Sequence, residues 1–460
     1  MREVLVKTEE FNDSPAGRIP KDWDCLTIND CLQKGLILDV QDGNHGEDHP
    51  KSEDFVTEGI PFVMAKDLVN GQINIADCNK ISWKQYKSLR VGFARPADVL
   101  LSHKGTIGLT AIVPDWLQDV MLTPQVTYYR VAEGKQLLNR FLFCFFQSHL
   151  FQRKLQILSA QSTRSYIGIT LQKTLSILIP SFDEQKKIAE IMDTVDDAIA
   201  RTSSLITKLK QIKAGLLHDL LTRGLDENGQ LRDPEAHPEE FKDSALGQIP
   251  RDWHIHTIGD LVESAIDGPF GSNLKTEHYV NQPEVRVVRL QNIENGYFDD
   301  SDKAYVSYNH ASKLHRHEVV AGDLIVACLG DENHPIARAC LYPADAKPGI
   351  VKADCFRLRL HPSMAIHAYV MYVLNCSSTR GDINLLGQGV TRDRVNLTTL
   401  LKVRVRIPPV REQNHIVAII DSHDTRIRKE ETYLNKLKLQ KQGLMHDLLT
   451  GKVRVKNTKN

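Results

Sequence analysis

The sequence predicts an α+β chain built as a tandem duplication, with two globular domains separated by two long helices that pack on each other. Three observations predict it. Residues 179–222 and 407–450 align without a gap at an offset of 228, with 20 of 44 positions identical. Residues 9–23 and 239–253 form a second repeat, with 10 of 15 positions identical. Between the repeats, residues 20–178 and 250–406 carry short β-rich runs alternating with turns and a few helical stretches. Solenoid and propeller units have periods of about 20–50 residues. A period near 230 residues is therefore a whole domain followed by its own helix.

The first domain is expected over 1–178. Its β-rich runs include 59–65 and 98–114, and Leu137–Leu158 reads as helical. Such a mixture of strands and helices around one core is an α+β domain. The segment 179–224 carries the first long helix, expected over 183–222. Ser181 and Asp183 are candidate N-caps, and Glu184 follows Ser181 by three residues, as in a capping box. Apolar residues at Ile188, Ile191, Val195, Ile199, Ile206, Leu209, Leu216 and Leu220 fall at gaps of three and four. That spacing is a coiled-coil seam, interrupted near Thr202 and Lys213. Gly224 offers the stop.

Residues 225–249 read as a linker. Between 226 and 243 there are seven acids against Arg232 and Lys242, with prolines and no apolar pattern of their own. The second domain is expected over 250–406, with strands in 285–293 and 322–330 and a helix at His367–Cys376. The segment 407–460 holds the second long helix and a tail. Its seam runs Ile416, Ile420, Ile427, Leu434, Leu437, Leu444 and Leu448, and Gly451 closes it. A helix of about 40 residues is about 60 Å long. Alone it would expose a long apolar stripe, and two copies remove the problem by pairing. The domains themselves match faintly. Asp98–Leu101 resembles Asp323–Val326, Lys66–Leu68 resembles Gln291–Ile293, and Thr163-Arg164 lies 228 residues before Thr391-Arg392.

Composition narrows the classes. With 41% hydrophobic and 25% charged residues, the chain can bury sizeable cores. No apolar run approaches the roughly 20 residues of a membrane span, and the N-terminal stretch has no apolar signal core. The expected location is the cytoplasm. Eight cysteines include no CxxC pair, so reduced, buried thiols are expected rather than a zinc ribbon. Basic and acidic residues balance at 58 each, which argues mildly against a nucleic-acid binder. It does not exclude one, because the local field at a binding face counts for more than the total.

No catalytic motif is present. There is no GxxxxGK[ST] phosphate loop and no GxGxxG after a strand. DGPFGS at 267–272 reads as a tight turn needing positive φ rather than as a ligand loop. His218-Asp219 and His446-Asp447 recur at the helix ends, but neighbours on a helix point to different faces, so docking or helix termination suits them better than a dyad. No metal site is expected. Side chains suited to base edges and phosphates do occur on expected loops and strand ends: Asn44, His45, Lys51, Lys66, Lys104 and Arg164 in the first domain, and Ser272, Asn273, Lys275, Arg289, Gln291, Asn292, Arg392 and Arg394 in the second. Arg and Lys suit guanine, and Asn and Gln suit adenine, in the major groove.

Taken together, the motifs resemble a known family. Each domain is introduced by GxIPxDW (Gly17–Trp23, Gly247–Trp253) and closed by IPxxxEQ (Ile179–Gln185, Ile407–Gln413), and each helix ends in HDLLT. This order, twice over essentially the whole chain, resembles the DNA-specificity subunit of type I restriction–modification systems. The resemblance implies two target-recognition domains, each reading one half of a split double-stranded DNA target. It implies an antiparallel helix pair, with Val195, Ile199, Ile206, Leu209, Leu216, Ile427, Leu434, Leu437 and Leu444 on its seam. The implied partners are two modification subunits, which carry S-adenosylmethionine and methylate adenine at N6, and two restriction subunits, which add ATP- and Mg-dependent translocation and cleavage. This chain would hold no cofactor and no catalytic residue. Service to a methyltransferase alone is one alternative. A coiled-coil adaptor between protein-binding domains, without DNA recognition, is the other.

Overall fold

A computed structural model describes residues 3–45, 49–134, 136–160, 166–386 and 394–457. The chain divides into two compact units, Met1–Ser204 with Thr432–Asn460, and Leu205–Glu431. Each unit holds one globular domain, half of the first long helix and the opposite half of the second.

The duplication faint in the domain sequences is complete in their topology. In the first unit an antiparallel sheet runs in the order Thr110–Ile112, Val99–Ser102, Val126–Val131, Ile37–Asp42. The second unit repeats it as Ala339–Leu341, Leu324–Ala327, Cys355–Leu360, Val262–Asp267. A five-stranded sheet follows in each, with one parallel pair: Val120–Leu122 beside Ile60–Val63, and Gly349–Val351 beside Val285–Val288. A strand leading into each long helix pairs antiparallel with one near the domain's start, Ser176–Ile179 with Asp24–Thr27 and Arg404–Ile407 with His254–Thr257.

The apparent likeness between Asp98–Leu101 and Asp323–Val326 has a physical basis. Asp98 accepts from the backbone of Arg95 and from Arg130, while Asp323 accepts from the backbone of Val320 and from Arg359. Both carboxylates are buried, so each needs its arginine. Lys66–Leu68 and Gln291–Ile293 likewise share a turn, closed by Asp67 on the Met64 amide at 2.8 Å and by Asn292 on the Arg289 amide at 3.0 Å.

Two helical stretches differ from expectation. Leu137–Leu158 is two helices, Asn139–Gln147 and His149–Ala160, because Ser148 is extended and its hydroxyl accepts from the Phe151 amide at 3.2 Å. His367–Asn375 is followed, past an extended Cys376, by a helix at Ser377–Leu386 that the sequence pattern did not suggest.

The long helices span Phe182–Thr222 and Val410–Leu449. Ser181 accepts from the Glu184 amide at the first N-terminus. Gly224 and Gly451, at φ +65° and +70°, take the left-handed conformation that stops each helix. Within the first unit Asp196 pairs with Lys441 at 2.6 Å, and Glu184 pairs with Arg454 beyond the end of the second helix. Within the second unit Lys210 pairs with Glu431 at 2.6 Å and Lys213 with Asp424. Numbers rise on one helix as they fall on the other, so the pairing is antiparallel in each unit.

The exposed pair Lys210–Glu431 contributes little, about 0–1 kcal/mol, and apolar side chains of the seam are buried beside these pairs. Ile206, Leu209, Ile427 and Leu437 are buried, and Val195, Ile199, Leu216, Leu434 and Leu444 are half-buried. The two interruptions are accounted for: Thr202 is buried, and Lys213 meets Asp424 and the Tyr372 ring. Each domain's core also closes over helix ends. The first takes in Ile188, Met192, Leu448 and Leu449; the second takes in Leu220, Leu221, Ile416 and Ile420.

All eight cysteines are unpaired thiols; seven are buried and Cys25 is half-buried. No helix among the described residues is long and apolar enough to cross a membrane.

Candidate nucleic-acid interface

Each domain is locked to the start of its own long helix by the same set of side chains, which are the residues of the repeated motifs. In the first unit Trp23 Nε1 donates to Glu184 Oε2 at 3.2 Å. Arg454 donates to both oxygens of Glu184 at 2.7 Å and to both of Asp22 at 2.7 and 2.8 Å. Burial opposes the charge on Arg454, but the carboxylates outweigh it and hold the guanidinium pKa above its ordinary value. In the second unit Trp253 Nε1 donates to Glu412 at 3.1 Å, and Arg232 reaches Glu412 at 2.8 and 3.3 Å and Asp252 at 3.3 Å. The neighbouring glutamines are buried and span the same joint. Gln185 accepts from the Leu138 amide and Gln413 from the Ile366 amide, both at 2.9 Å.

The two arginines come from different parts of the chain. Arg232 lies in the linker. Arg454 lies in Val453–Asn457, which pairs antiparallel with Glu3–Lys7. The two chain ends together thus take, in the first unit, the place of the linker in the second.

The side chains chosen for base reading divide into three groups. Exposed are His45, Lys51, Lys104, Ser272, Asn273 and Lys275, of which His45 meets the Gly43 carbonyl at 3.1 Å and Lys275 pairs with Glu277 at 3.6 Å. Exposed but engaged are Lys66, paired with Asp67 at 2.8 Å, Gln291, donating to Asp302 at 2.6 Å, and Arg394, paired with Asp354 at 3.0 Å; Arg289 is half-buried against Asp302 at 2.6 Å. The third group corrects the expectation. Asn292 is fully buried, its amide nitrogen donating to the carbonyls of Asp299 and Asp302 at 2.9 and 2.8 Å, so it cannot reach a base edge. Asn44 is also buried. Asparagine suits turn closure as well as it suits adenine, and here the turn takes it. Arg164 and Arg392 lie outside the described residues.

The DGPFGS segment leaves its strand at Asp267 and enters a short 3₁₀ helix at Gly271–Asn273, with Gly271 at φ +65°. Gly268 has a second reason to be glycine: a Cβ there would lie 2.0 Å from the Lys352 carbonyl oxygen. Of the repeated His-Asp pairs, His218 and His446 are exposed, and Asp219 pairs with Arg223 at 2.8 Å.

Sequence reasoning named Arg394 but missed the acids, histidine and tyrosine that cluster at one end of each four-stranded sheet. In the first domain Asp42 ends its strand, accepts from Thr127 at 2.7 Å, and faces His103 Nε2 at 3.5 Å. His103 is buried; burial lowers its pKa against the opposing pull of Asp42. Tyr166 lies against the His103 ring, with centroids 5.6 Å apart. In the second domain Asp267 ends the equivalent strand. Its Oδ1 is buried with no hydrogen-bond partner, and burial pushes its pKa up to about 6. Beside it Cys328 donates to Asp354 at 3.5 Å, and Asp354 pairs with Arg394. The signal that could have found this cluster is DGxxG, at 42–46 and 267–271, whose offset of 225 is hidden by the dominant 228.

Among the described residues no cluster of three or more His, Cys, Asp or Glu could hold a metal ion. A cleft of about 770 Å³ in the first unit is lined by Arg140, Asp196 and Lys441, whose charges pair with each other or with Asp193.

The family model described as type I restriction modification DNA specificity domain matches the chain twice, over 20–211 and 250–439. The chain is similar to the type I restriction enzyme MjaVIII specificity subunit of Methanocaldococcus jannaschii, at 22% identity over 98% of both chains. It is also similar to the putative MjaX specificity subunit of that organism, at 24% over 98% of both. The EcoKI specificity subunit of Escherichia coli matches at 23% over 62% of this chain and 59% of its own. Among solved structures, the type I restriction–modification S subunit from M. genitalium superposes with a TM-score of 0.53 at 16% identity, covering 93% of this chain and 96% of that one. A chain from work on assembly and conformational transition of the type I R-M system gives 0.54 at 14%, covering 94% and 99%.

Proposed function

We infer the role of this chain from its membership in a family: it belongs to the type I restriction–modification DNA specificity family. It is the specificity subunit, a sequence-specific DNA-recognition protein, and the protein-only adaptor reading falls away. The observation that carries the bipartite form of that role is the duplication itself. Two domains of one topology, each fixed to its own helix by the same Trp–Glu–Arg set, present two readers whose surfaces have diverged. Two different readers on a repeated scaffold suit a split, asymmetric target, while phosphate contacts set register and base contacts set sequence.

The reading extends to partners. Repeated helices offer equivalent docking surfaces to two copies of one partner, so two modification subunits would bind the helix pair. S-adenosylmethionine and adenine-N6 methyl transfer would reside in them. ATP- and Mg-dependent translocation and cleavage would reside in two restriction subunits, and the complex would work in the cytoplasm. Motif-poor composition supports leaving the chemistry to those partners, with no cofactor and no catalytic residue in this chain. The test is co-expression with the modification partner, followed by mapping of methylated adenines across the host genome. A two-part consensus that disappears when this chain is omitted supports the reading. Methyl transfer by this chain alone, or modification unchanged in its absence, overturns it.

A further inference from the structure

The two domains provide an internal comparison, because equivalent positions can be matched by backbone hydrogen bonds without reference to sequence. Gly43 donates to the Val126 carbonyl as Gly268 donates to that of Cys355. His103 donates to the Gln125 carbonyl as Cys328 donates to that of Asp354, all four backbone bonds being 2.9 to 3.1 Å. Ile167 donates to the His103 carbonyl at 3.0 Å as Val395 donates to that of Cys328 at 2.9 Å. Isolated bridges join Lys104 to Tyr166 and Leu329 to Arg394. The backbone at this end of the sheet is the same in both domains.

The side chains on it are not. At the joint to the long helix and at the buried aspartate of the central strand the equivalent pairs keep their chemistry: Trp23 and Trp253, Glu184 and Glu412, Gln185 and Gln413, Asp98 and Asp323. At this end Asp42 and Asp267 are kept, and the positions around them change. His45 becomes Phe270, His103 becomes Cys328, Lys104 becomes Leu329, Gln125 becomes Asp354, and Tyr166 becomes Arg394. His103 and Cys328 are buried beneath this end, while the exchanges at its surface, His45 for Phe270 and Tyr166 for Arg394, fall on exposed side chains; a fixed backbone with exchanged surface side chains is what two domains need if they share a fold and read different bases. His45, Lys104, Phe270 and Arg394 are exposed, and so is Tyr166, which lies at 43%.

Resting on the DNA-recognition role given above, we propose that each domain reads its half-site with this end of its four-stranded sheet, through His45, Lys104 and Tyr166 in the first domain and Phe270 and Arg394 in the second. The chemistry sets what each can recognise. A guanidinium matches O6 and N7 of guanine, and an apolar ring matches the methyl group of thymine. Arg394 is held at 3.0 Å by Asp354 before DNA binds, which orders its side chain and lowers the cost of placing it on a base. The buried, unpartnered Oδ1 of Asp267 lies at the root of the same loop.

The test uses the complex with its modification partner and maps methylated sites for single variants. Arg394→Gln should make one guanine position of the second half-site degenerate, with discrimination there falling roughly 10- to 100-fold, while the first half-site is unchanged. Phe270→Ala should relax another position of the same half-site. Lys104→Gln and Tyr166→Ala should alter only the first. Arg394→Lys, which keeps the charge but not the two-pronged geometry, separates base reading from charge. If Arg394→Gln unfolds the domain in a thermal melt, the pair Arg394→Gln with Asp354→Asn removes both charges and carries the same expectation. An unchanged consensus in all of these, with the wild-type complex still modifying a split site, overturns the assignment and leaves the specificity role standing. A uniform loss of affinity on all sequences, with a shallower salt dependence, would make these residues phosphate contacts and also overturns it. Failure of the wild-type complex to modify any split site is a failure of the role itself.

Discussion

The first and second domains share a topology strand for strand, yet they have drifted at different rates in different places. The joint to the long helix has kept its Trp, Glu, Gln and Arg, although the arginine arrives from the C-terminal strand in one copy and from the linker in the other. The end of the sheet has kept its backbone bonds and exchanged most of its side chains. A buried carboxylate tolerates no change that leaves its partner unpaired. An exposed side chain on a rigid loop can change freely, and its change alters only what it touches. The contrast therefore separates what holds the reader from what reads.

The largest expected effect tests the equivalence of the helices. Leu209 and Leu437 occupy matching positions and are 4% and 7% exposed. Leu209→Asp and Leu437→Asp each bury an unpaired charge, at a cost of about 3 kcal/mol or more. Both should lose the complex with the modification subunit on gel filtration while far-ultraviolet circular dichroism retains the domains. Intact complexes in both would remove these leucines from the seam.

A smaller effect compares the joints. Glu184→Ala leaves the Trp23 indole without its acceptor and Arg454 with Asp22 alone, and should cost about 3 kcal/mol in denaturant unfolding, as removal of one partner of a buried pair does. Glu412→Ala should cost about as much, about 3 kcal/mol, because the longer Arg232 contact of 3.3 Å is offset by the Leu225 amide, which donates to Glu412 at 2.7 Å where Val455 donates to Glu184 at 3.3 Å. A loss confined to one of the two variants would show that the two joints are not equivalent.

A third effect, smaller still, is expected in the second domain and not in the first. Asp267 has its pKa raised to about 6 by burial. Its protonated form is therefore favoured by folding, so this contribution to stability is full below pH about 4 and is lost as pH rises through about 6. Asp267→Asn should stabilise the chain at pH 7.5 by about 1 kcal/mol, discounted for the exposure of the group, and should flatten the pH dependence between 4 and 7. Asp42 accepts from Thr127 at 2.7 Å, so Asp42→Asn should give no gain. Thermal melts of both variants across that range decide it.

The long helices were legible because their signals are local. Gaps of three and four place Ile188 and Leu209 on one face, and Gly224 stops the chain wherever the rest of the molecule lies. The kept acids inside the domains were half legible: Asp98 and Asp323 stood in matching patterns, but their arginines, Arg130 and Arg359, are brought by a strand pairing that no local pattern reveals. The candidate site was unevenly legible: of the proposed readers, residue type alone picks out His45, Lys104 and Arg394. Selecting side chains by what suits a base chose Asn292, which closes a turn, and passed over Tyr166, which faces solvent beside a buried histidine. Register across the sheet, not residue type, brings Asp42, His103 and Tyr166 together.

Each domain is expected to read one half of a split target independently of the other. Replacing residues 24–178 with the corresponding segment of a related specificity subunit, and mapping methylated adenines made by the resulting complex, tests it most directly. A new sequence in one half of the consensus with the other half unchanged is the result expected. A change in both halves, or in neither, would contradict it.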